Sequence, residues 1–387
     1  MIYDWKKSEG IYKRRINIVM KVIAFYLPQY YAFPENDKWW GKGFTEWTNV
    51  RKSKPLYKGH YQPTVPLNEN YYTLDNPDVM KWQADLAKKY GVYGFCFYHY
   101  WFGEDRMLME KPTEMFLKHK EIDFPFCFSW ANHNWSRTWV GGDKDILMDM
   151  RYGDEKEWDK HFEYLLDYFN DSRYIKIDGN PAFVIYKPDD IPCLKPMLAF
   201  FDKKAKENGF NGITILSQAP VYDSSVIKQM DYVIEYEPNY TRFSVWKDKA
   251  INKNTLRLKM DLLKVAIRNR IKKITNGKLF KVNTYDYDAI WNSILKTPIK
   301  SKKTIAGAFA NCDVTPRRQD RAVIYKGATP EKFGKYMKKL VKKVEEQGNQ
   351  QMIFVSAWNE WGEGMYLEPD EKNKYGYLEG IRDAVKL

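Results

Sequence analysis

The feature that most restricts the fold of this chain is a regular alternation along its length. Eight short, nearly continuous apolar runs occupy residues 21–29, 92–100, 124–132, 181–187, 212–219, 232–237, 304–311 and 352–358. Most are separated by amphipathic stretches, among them 77–90, 155–169, 192–208 and 330–347, whose apolar residues recur at helical spacing. A strand covered on one face alternates apolar and polar residues, whereas a strand covered on both faces reads as apolar throughout. Continuous runs joined by helices therefore predict a parallel sheet with helices over its outer surface. A count of eight favours closure into a (β/α)8 TIM barrel over an open sheet. The 387 residues exceed the roughly 250 of a plain barrel, and barrels grow by loop insertion. No Pro/Gly/Ser linker or low-complexity tract divides the chain. The expectation is one catalytic α/β domain over 1–387 with long βα loops. One insertion is expected around 30–73, rich in Trp, Gly and Pro, and a basic, helical one around 242–285.

Polar chemistry follows the strands rather than preceding them. The first run leads into Pro28-Gln29-Tyr30, the second into His99-Tyr100-Trp101 and the third into Asn132-His133-Asn134-Trp135. The sixth leads to Glu235, Glu237 and Asn239, the seventh to Asn311 and Asp313, and the eighth to Asn359, Glu360 and Glu363. In a barrel these ends meet at one face, where active sites are built. Ser356-Ala357-Trp358-Asn359-Glu360-Trp361-Gly362-Glu363-Gly364 closes the last strand, with two carboxylates three positions apart beside glycines that permit a tight turn. Glycosidic bond cleavage needs one carboxyl to protonate the leaving oxygen and, usually, a second to meet the positive charge at the anomeric carbon. Crowding two carboxylates raises one pKa, as a general acid at neutral pH requires. Glu360 and Glu363 are therefore the candidate catalytic residues. By spacing alone they read equally well as two solvated glutamates.

Composition supports a saccharide ligand. The chain has 14 Trp, 29 Tyr and 21 Phe, several beside polar residues at strand ends. Sugar C–H faces stack on rings while their hydroxyls need polar partners. Trp39, Trp40, Trp47, Tyr100, Trp130 and Trp135 are the candidate walls, and His60, His99, Asn132, His133, Glu237 and Asn359 the candidate polar contacts. Arg137, Arg317 and Arg318 are candidate anion contacts or ordinary surface cations.

The net charge of +13 would attract acidic lipids or an acidic glycan, although a solvated helix face accounts for much of the excess in 247–281. No zinc finger or RNA-binding aromatic motif supports nucleic acid. No GxGxxG follows a strand, no GxxxxGK[ST] occurs, and Tyr285-Asp286-Tyr287-Asp288 resembles a sugar-nucleotide metal motif only in letters. Five histidines without HExxH predict no metal, and no cofactor is expected. Cys96, Cys127, Cys193 and Cys312 read as free thiols of a reducing compartment. Lys13, Arg14 and Arg15 precede too short an apolar run for a signal peptide or a membrane span. A cytoplasmic protein, peripheral at the inner membrane in one reading, is expected.

The segments Ala24-Phe25-Tyr26-Leu27-Pro28-Gln29-Tyr30 and Trp39-Trp40-Gly41-Lys42-Gly43-Phe44-Thr45-Glu46-Trp47-Thr48-Asn49-Val50 resemble the WbsX-type family of bacterial polysaccharide gene clusters. Tyr93-Gly94-Phe95-Cys96-Phe97-Tyr98-His99-Tyr100-Trp101-Phe102, Ser129-Trp130-Ala131-Asn132-His133-Asn134-Trp135-Ser136-Arg137 and the Trp358-to-Gly364 segment continue the likeness over nearly the whole barrel. Members of that family are commonly labelled glycosyltransferases or lipopolysaccharide-biosynthesis proteins, largely from gene context. The family is similar in turn to the family 99 glycoside hydrolases, retaining endo-acting α-mannan enzymes with an Asn-Glu-Trp-x-Glu segment. The resemblance implies that Glu360 acts as base toward the sugar 2-hydroxyl, through a 1,2-anhydro intermediate, and that Glu363 is the acid/base. Where those hydrolases typically carry a histidine, this sequence has Gly362. The implied activity is a retaining glycoside hydrolase-like enzyme that cleaves or remodels a bacterial polysaccharide, α-mannoside-like, anionic or lipid-linked. The alternatives are a glycosyltransferase of lipopolysaccharide, O-antigen or capsule assembly and a non-catalytic glycan-binding protein.

Overall fold

The computed structural model describes residues 20–137, 142–220, 229–247, 255–275, 282–347 and 350–386; Lys13, Arg14, Arg15 and parts of the basic insertion lie outside them. Eight parallel strands form the centre: β1 (Lys21–Tyr26), β2 (Gly94–Gly103), β3 (Phe126–Trp130), β4 (Asn180–Ile185), β5 (Thr214–Ala219), β6 (Tyr232–Glu235), β7 (Thr304–Phe309) and β8 (Met352–Ser356). Each falls inside one of the eight apolar runs or extends from it by a few residues. Neighbours in sequence are neighbours in the sheet. The ring closes because β1 pairs on both sides, Ala24 with Phe95 of β2 and with Val355 of β8. The chain is a closed (β/α)8 barrel.

The strands are buried almost throughout because they face side chains inside and helices outside. Within the barrel the Phe25 ring meets Tyr98 at 5.7 Å, Tyr236 at 5.6 Å and Phe354 at 5.5 Å. Above this apolar layer Ser129 donates to Gln218 Oε1 (2.8 Å), and Gln218 Nε2 donates to the Tyr98 hydroxyl (3.3 Å). The interior thus changes from apolar to hydrogen-bonding toward the C-terminal ends of the strands. That gradient is what lets the mouth hold charged groups.

The outer helices start where the sequence supplies caps. Asn76 accepts from Asp78 N ahead of Pro77–Lys89, and Asp154 accepts from Lys156 N ahead of Glu155–Phe169. Asp286 accepts from Ala289 N and so opens the helix Tyr287–Lys296. Of the acidic pair that resembled a metal motif, Asp286 is therefore both strand end and helix cap, and Asp288, in the first turn of that helix, accepts from Lys332 and Tyr336. Between β1 and Pro77–Lys89 the loop contains two short helices, Pro34–Trp40 and Glu46–Lys52. After β6 come Asn239–Lys247 and the long Leu256–Ile274, then the strand Asn283–Asp286, which pairs in parallel with Val323–Lys326. Cys96, Cys127, Cys193 and Cys312 are free thiols. Among the described residues no helix is long and apolar enough to cross a membrane.

Candidate active site

Chain leaving β8 folds back at once. Asn359–Glu360 pairs antiparallel with Met365–Tyr366, and Trp361–Glu363 makes one 3-10 turn between them. The reversal depends on Gly364, whose φ of 62° lies in the left-handed region where a side chain is costly. This turn aims Glu360 and Glu363 toward the barrel axis. Three anchors fix it. Asn359 accepts from Leu27 N (2.7 Å) and donates to Leu27 O (2.9 Å), tying β8 to the end of β1. Asp313 N donates to Glu363 O (2.7 Å) from the end of β7. Trp361 Nε1 donates to Glu368 Oε2 (2.6 Å).

Both carboxylates meet one guanidinium. Arg317 donates from Nη2 to Glu360 Oε2 (2.7 Å), from Nη1 to Glu363 Oε1 (2.5 Å) and from Nε to Glu46 Oε1 (2.7 Å). Glu46 is fully buried, delivered by the first turn of Glu46–Lys52. Arg317 rides on the short helix Thr315–Arg318, opened by Asp313, whose Oδ1 accepts from the backbone and hydroxyl of Thr315. Three carboxylates around one cation leave an excess of negative charge in a buried place. Burial, followed by the carboxylates of Glu363 and Glu46, pushes Glu360 up to about 8 against the lowering effect of Arg317. These surroundings favour the protonated form of Glu360 more than those of an ordinary glutamate do.

This cluster lies in a cavity of about 490 Å³ at the C-terminal end of the barrel. Glu360, Glu363 and Arg317 line it together with Tyr98, Tyr100, Tyr186 and Tyr236, and with His133 and Trp135. Burial, with the nearby glutamates contributing, holds all four tyrosines as phenols, Tyr186 at about 12. As phenols they can donate to a ligand in the cavity. Burial, with Lys187 adding to it, depresses His133 to about 4, so its ring is neutral and suits a hydroxyl rather than an anion. Its Nδ1 makes no hydrogen bond to the protein. Among the described residues no group of three or more His, Cys, Asp or Glu is arranged to hold a metal ion.

The sequence pattern of the family described as Glycosyltransferase WbsX matches residues 22–381. The chain belongs to the WbsX glycosyltransferase family. It is 30% identical over 368 residues to WxcX of Xanthomonas campestris pv. campestris strain B100, an uncharacterized protein, and equally to WxcX of a second strain. That alignment takes in 94% of this chain and 49% of the relative, so the chain spans about half the length of the curated relatives it matches. In fold this WbsX-family barrel is similar to the GH99 endo-α-mannosidase from Bacteroides thetaiotaomicron, with TM-score 0.50 and 15% identity over 94% of this chain and 95% of the other. It is similar also to a glycoside hydrolase-like protein, with TM-score 0.53 and 14% identity over 95% and 94%.

The remaining candidates of this WbsX-family chain divide by location. Tyr100 and Trp135 line the cavity, and Trp39 stacks on Trp135 at 6.4 Å, extending that wall to the rim. Trp40 lies outside it, under the Arg137 guanidinium at 5.4 Å. Arg137 itself is paired with Asp145 at 2.8 Å and donates to Trp39 O. Trp47 and Trp130 are in the core instead: Trp47 donates to Tyr72 O (2.8 Å) and Trp130 to Trp101 O (2.8 Å). His99 points outward from β2, since strand side chains alternate and Tyr98 and Tyr100 take the inner face. Its Nε2 meets that of His161 at 2.9 Å, and burial lowers it to about 3. Asn132 clasps Lys187 through both backbone groups (2.7 Å each) and so positions the loop after β4. Glu237 accepts from Thr241, and Asn359 is consumed by β1; neither lines the cavity. His60 bonds Asp313 (2.6 Å) beside a second cavity of about 300 Å³.

The sequence reading missed Glu46, Tyr98, Tyr186 and Tyr236 as site residues. Tyr98 was findable, being two positions before Tyr100 on the same face of β2. Glu46 was not, because its partner Arg317 is 271 positions away.

Proposed function

We propose that this barrel is a retaining glycoside hydrolase-like enzyme that cleaves or remodels a bacterial polysaccharide or its lipid-linked precursor, α-mannoside-like in linkage. The observation that carries the reading is the pair Glu360 and Glu363, held by one guanidinium in an aromatic-lined cavity. In the first step ionised Glu360 takes the proton of the 2-hydroxyl, and O2 attacks the anomeric carbon of its own sugar. The bond to the leaving oxygen breaks as Glu363 protonates that oxygen, giving a 1,2-anhydro sugar. In the second step Glu363 takes a proton from water, which attacks the anomeric carbon. The C1–O2 bond opens, and O2 recovers its proton from Glu360. Two inversions give net retention. A glycan hydroxyl in place of water gives transglycosylation by the same steps. The raised proton affinity of Glu360 suits a base for so weak an acid as a hydroxyl. Arg317 is a positioning residue here, fixing the two carboxyls relative to each other.

The test is mass spectrometry of products from α-mannooligosaccharides and from surface glycan of the source organism, in ordinary and ¹⁸O-labelled water. Cleavage without a donor, with ¹⁸O at the new reducing end and lost in Glu360→Gln and Glu363→Gln, supports the reading. The second reading is transfer from a nucleotide sugar, favoured by the cations Lys187 and Arg318 that line the same cavity and would face a diphosphate. Chain extension only when a nucleotide sugar is added would establish it. Glycan binding that survives both substitutions, without turnover in the parent protein, would make the barrel a binding module.

A further inference from the structure

The insertion after β6 carries a surface that the barrel does not use. Its long helix, Leu256–Ile274, has two apolar faces. Leu258, Leu262 and Val265 are buried. Leu256, Met260, Leu263, Ile267 and Ile274 are 45, 50, 58, 51 and 76% exposed. With 3.6 residues per turn these five fall within an arc of about 60°, opposite the buried three. They form a second stripe rather than the fringe of the packed face. The neighbouring helix Asn239–Lys247 adds Phe243 and Trp246, 41 and 56% exposed. Single exposed apolar side chains are ordinary, but an aligned stripe along a whole helix marks a contact surface.

Charge selects the occupant. The helix contains seven Lys and Arg against one acidic residue, Asp261. By the same rotation Lys259 and Arg270 flank one side of the stripe, and Arg257 and Lys264 the other. Two copies of this face, on a chain of net charge +13, would repel each other. A bilayer with anionic headgroups offers both complements, an acyl boundary for the stripe and negative charge for its flanks. We propose that Leu256–Ile274 lies in the plane of an anionic phospholipid bilayer, with Phe243 and Trp246 inserted beside it. The helix is pinned to the strand Asn283–Asp286, where Arg257 pairs with Asp286 at 2.5 Å. That strand's partner, Val323–Lys326, follows closely on the helix that bears Arg317. The docking surface is therefore built into the same end of the barrel as the cavity. The inference is independent of the reaction assigned to that cavity.

The test is cosedimentation of the whole chain with vesicles of phosphatidylcholine, alone or mixed with phosphatidylglycerol. The expected result is salt-sensitive binding to the mixed vesicles and little to the neutral ones. Leu263→Ser with Ile267→Ser weakens binding about tenfold or more. Lys264→Glu with Arg270→Glu weakens it by a similar factor. Both pairs are exposed, and the one ion pair touched, Lys264 with Asp261 at 3.7 Å, is on the surface, so melting temperatures change little. Binding to neither lipid, equal binding to both, or binding unmoved by the two variants overturns the proposal. So does a dimer in sedimentation analysis that Leu263→Ser with Ile267→Ser dissolves, since the stripe is then a contact between copies.

Discussion

The Glu46 carboxylate occupies the space into which a side chain at position 362 would project: a Cβ placed on Gly362 would lie 1.5 Å from Glu46 Oε1 and 2.8 Å from Arg317 Nε. The two residues are 316 positions apart, and each explains the other. The third carboxylate of the cluster can pair with Arg317 only because position 362 has no side chain.

Gly362→Ala is expected to displace Glu46, lower stability by about 2 kcal/mol or more and remove most activity. Adding Glu46→Gly to Gly362→Ala opens the space again. The melting temperature of the double variant should recover relative to the glycine-to-alanine change alone. Additive losses would show that the two positions do not compete for one volume.

Arg317→Met leaves three carboxylates, two of them buried, without their cation. Breaking such a cluster costs about 3–5 kcal/mol, and turnover should fall about a hundredfold or more. Arg317→Lys restores the charge without the three-way geometry. It should recover stability more than kcat, as measured by thermal melts and steady-state kinetics.

The rate should depend on the ionisation of Glu360. Its proton affinity is raised to about 8 by burial, with the neighbouring carboxylates adding to it. A base must be ionised to act, so kcat/KM is expected to rise with pH toward about 8 and to lose that limb in Glu360→Gln. A rate that instead falls above pH 8 would assign Glu360 as the acid and exchange the roles of the pair.

Stability should fall as pH rises through the neutral range. Burial, then the Glu235 carboxylate, raises Glu237 to about 8, and burial raises Glu368 to about 7. The unfolded chain holds these protons less tightly, with a glutamate pKa of about 4.3. The stabilisation is complete below that value and is lost as pH climbs through the folded values. Melting temperature should therefore decline between about pH 5 and pH 8, and Glu237→Gln should flatten the decline.

Two tryptophans separate binding from folding. Trp135 lines the cavity and Trp47 packs among Tyr30, Tyr72 and Trp361. Trp135→Ala should weaken glycan binding about tenfold and, since Trp135 is 8% exposed and its ring packs on Trp39 and Tyr100, lower the melting temperature as well. Trp47→Ala should cost about 3–5 kcal/mol of stability. Equal effects of the two on both readouts would contradict this division.

The sequence by itself determined the barrel and the end of it that carries the site. Eight apolar runs became eight strands because hydrophobic continuity and helical periodicity are local signals, read within about ten residues. Glu360 and Glu363 were legible for the same reason, being on one short segment after one strand. What only the tertiary structure decided is which side chains turn inward and what they meet. His99 and Tyr100 are adjacent in sequence, yet strand alternation sends one to His161 and the other into the cavity. Asn132, His60 and Asn359 look like sugar contacts in one dimension, but the folded chain spends their polar atoms on joining loops. Arg317 reads as one of two surface arginines until Glu46, Glu360 and Glu363 surround it. Those partners come from opposite ends of the chain, and only closure of the ring between β1 and β8 brings them within hydrogen-bond distance.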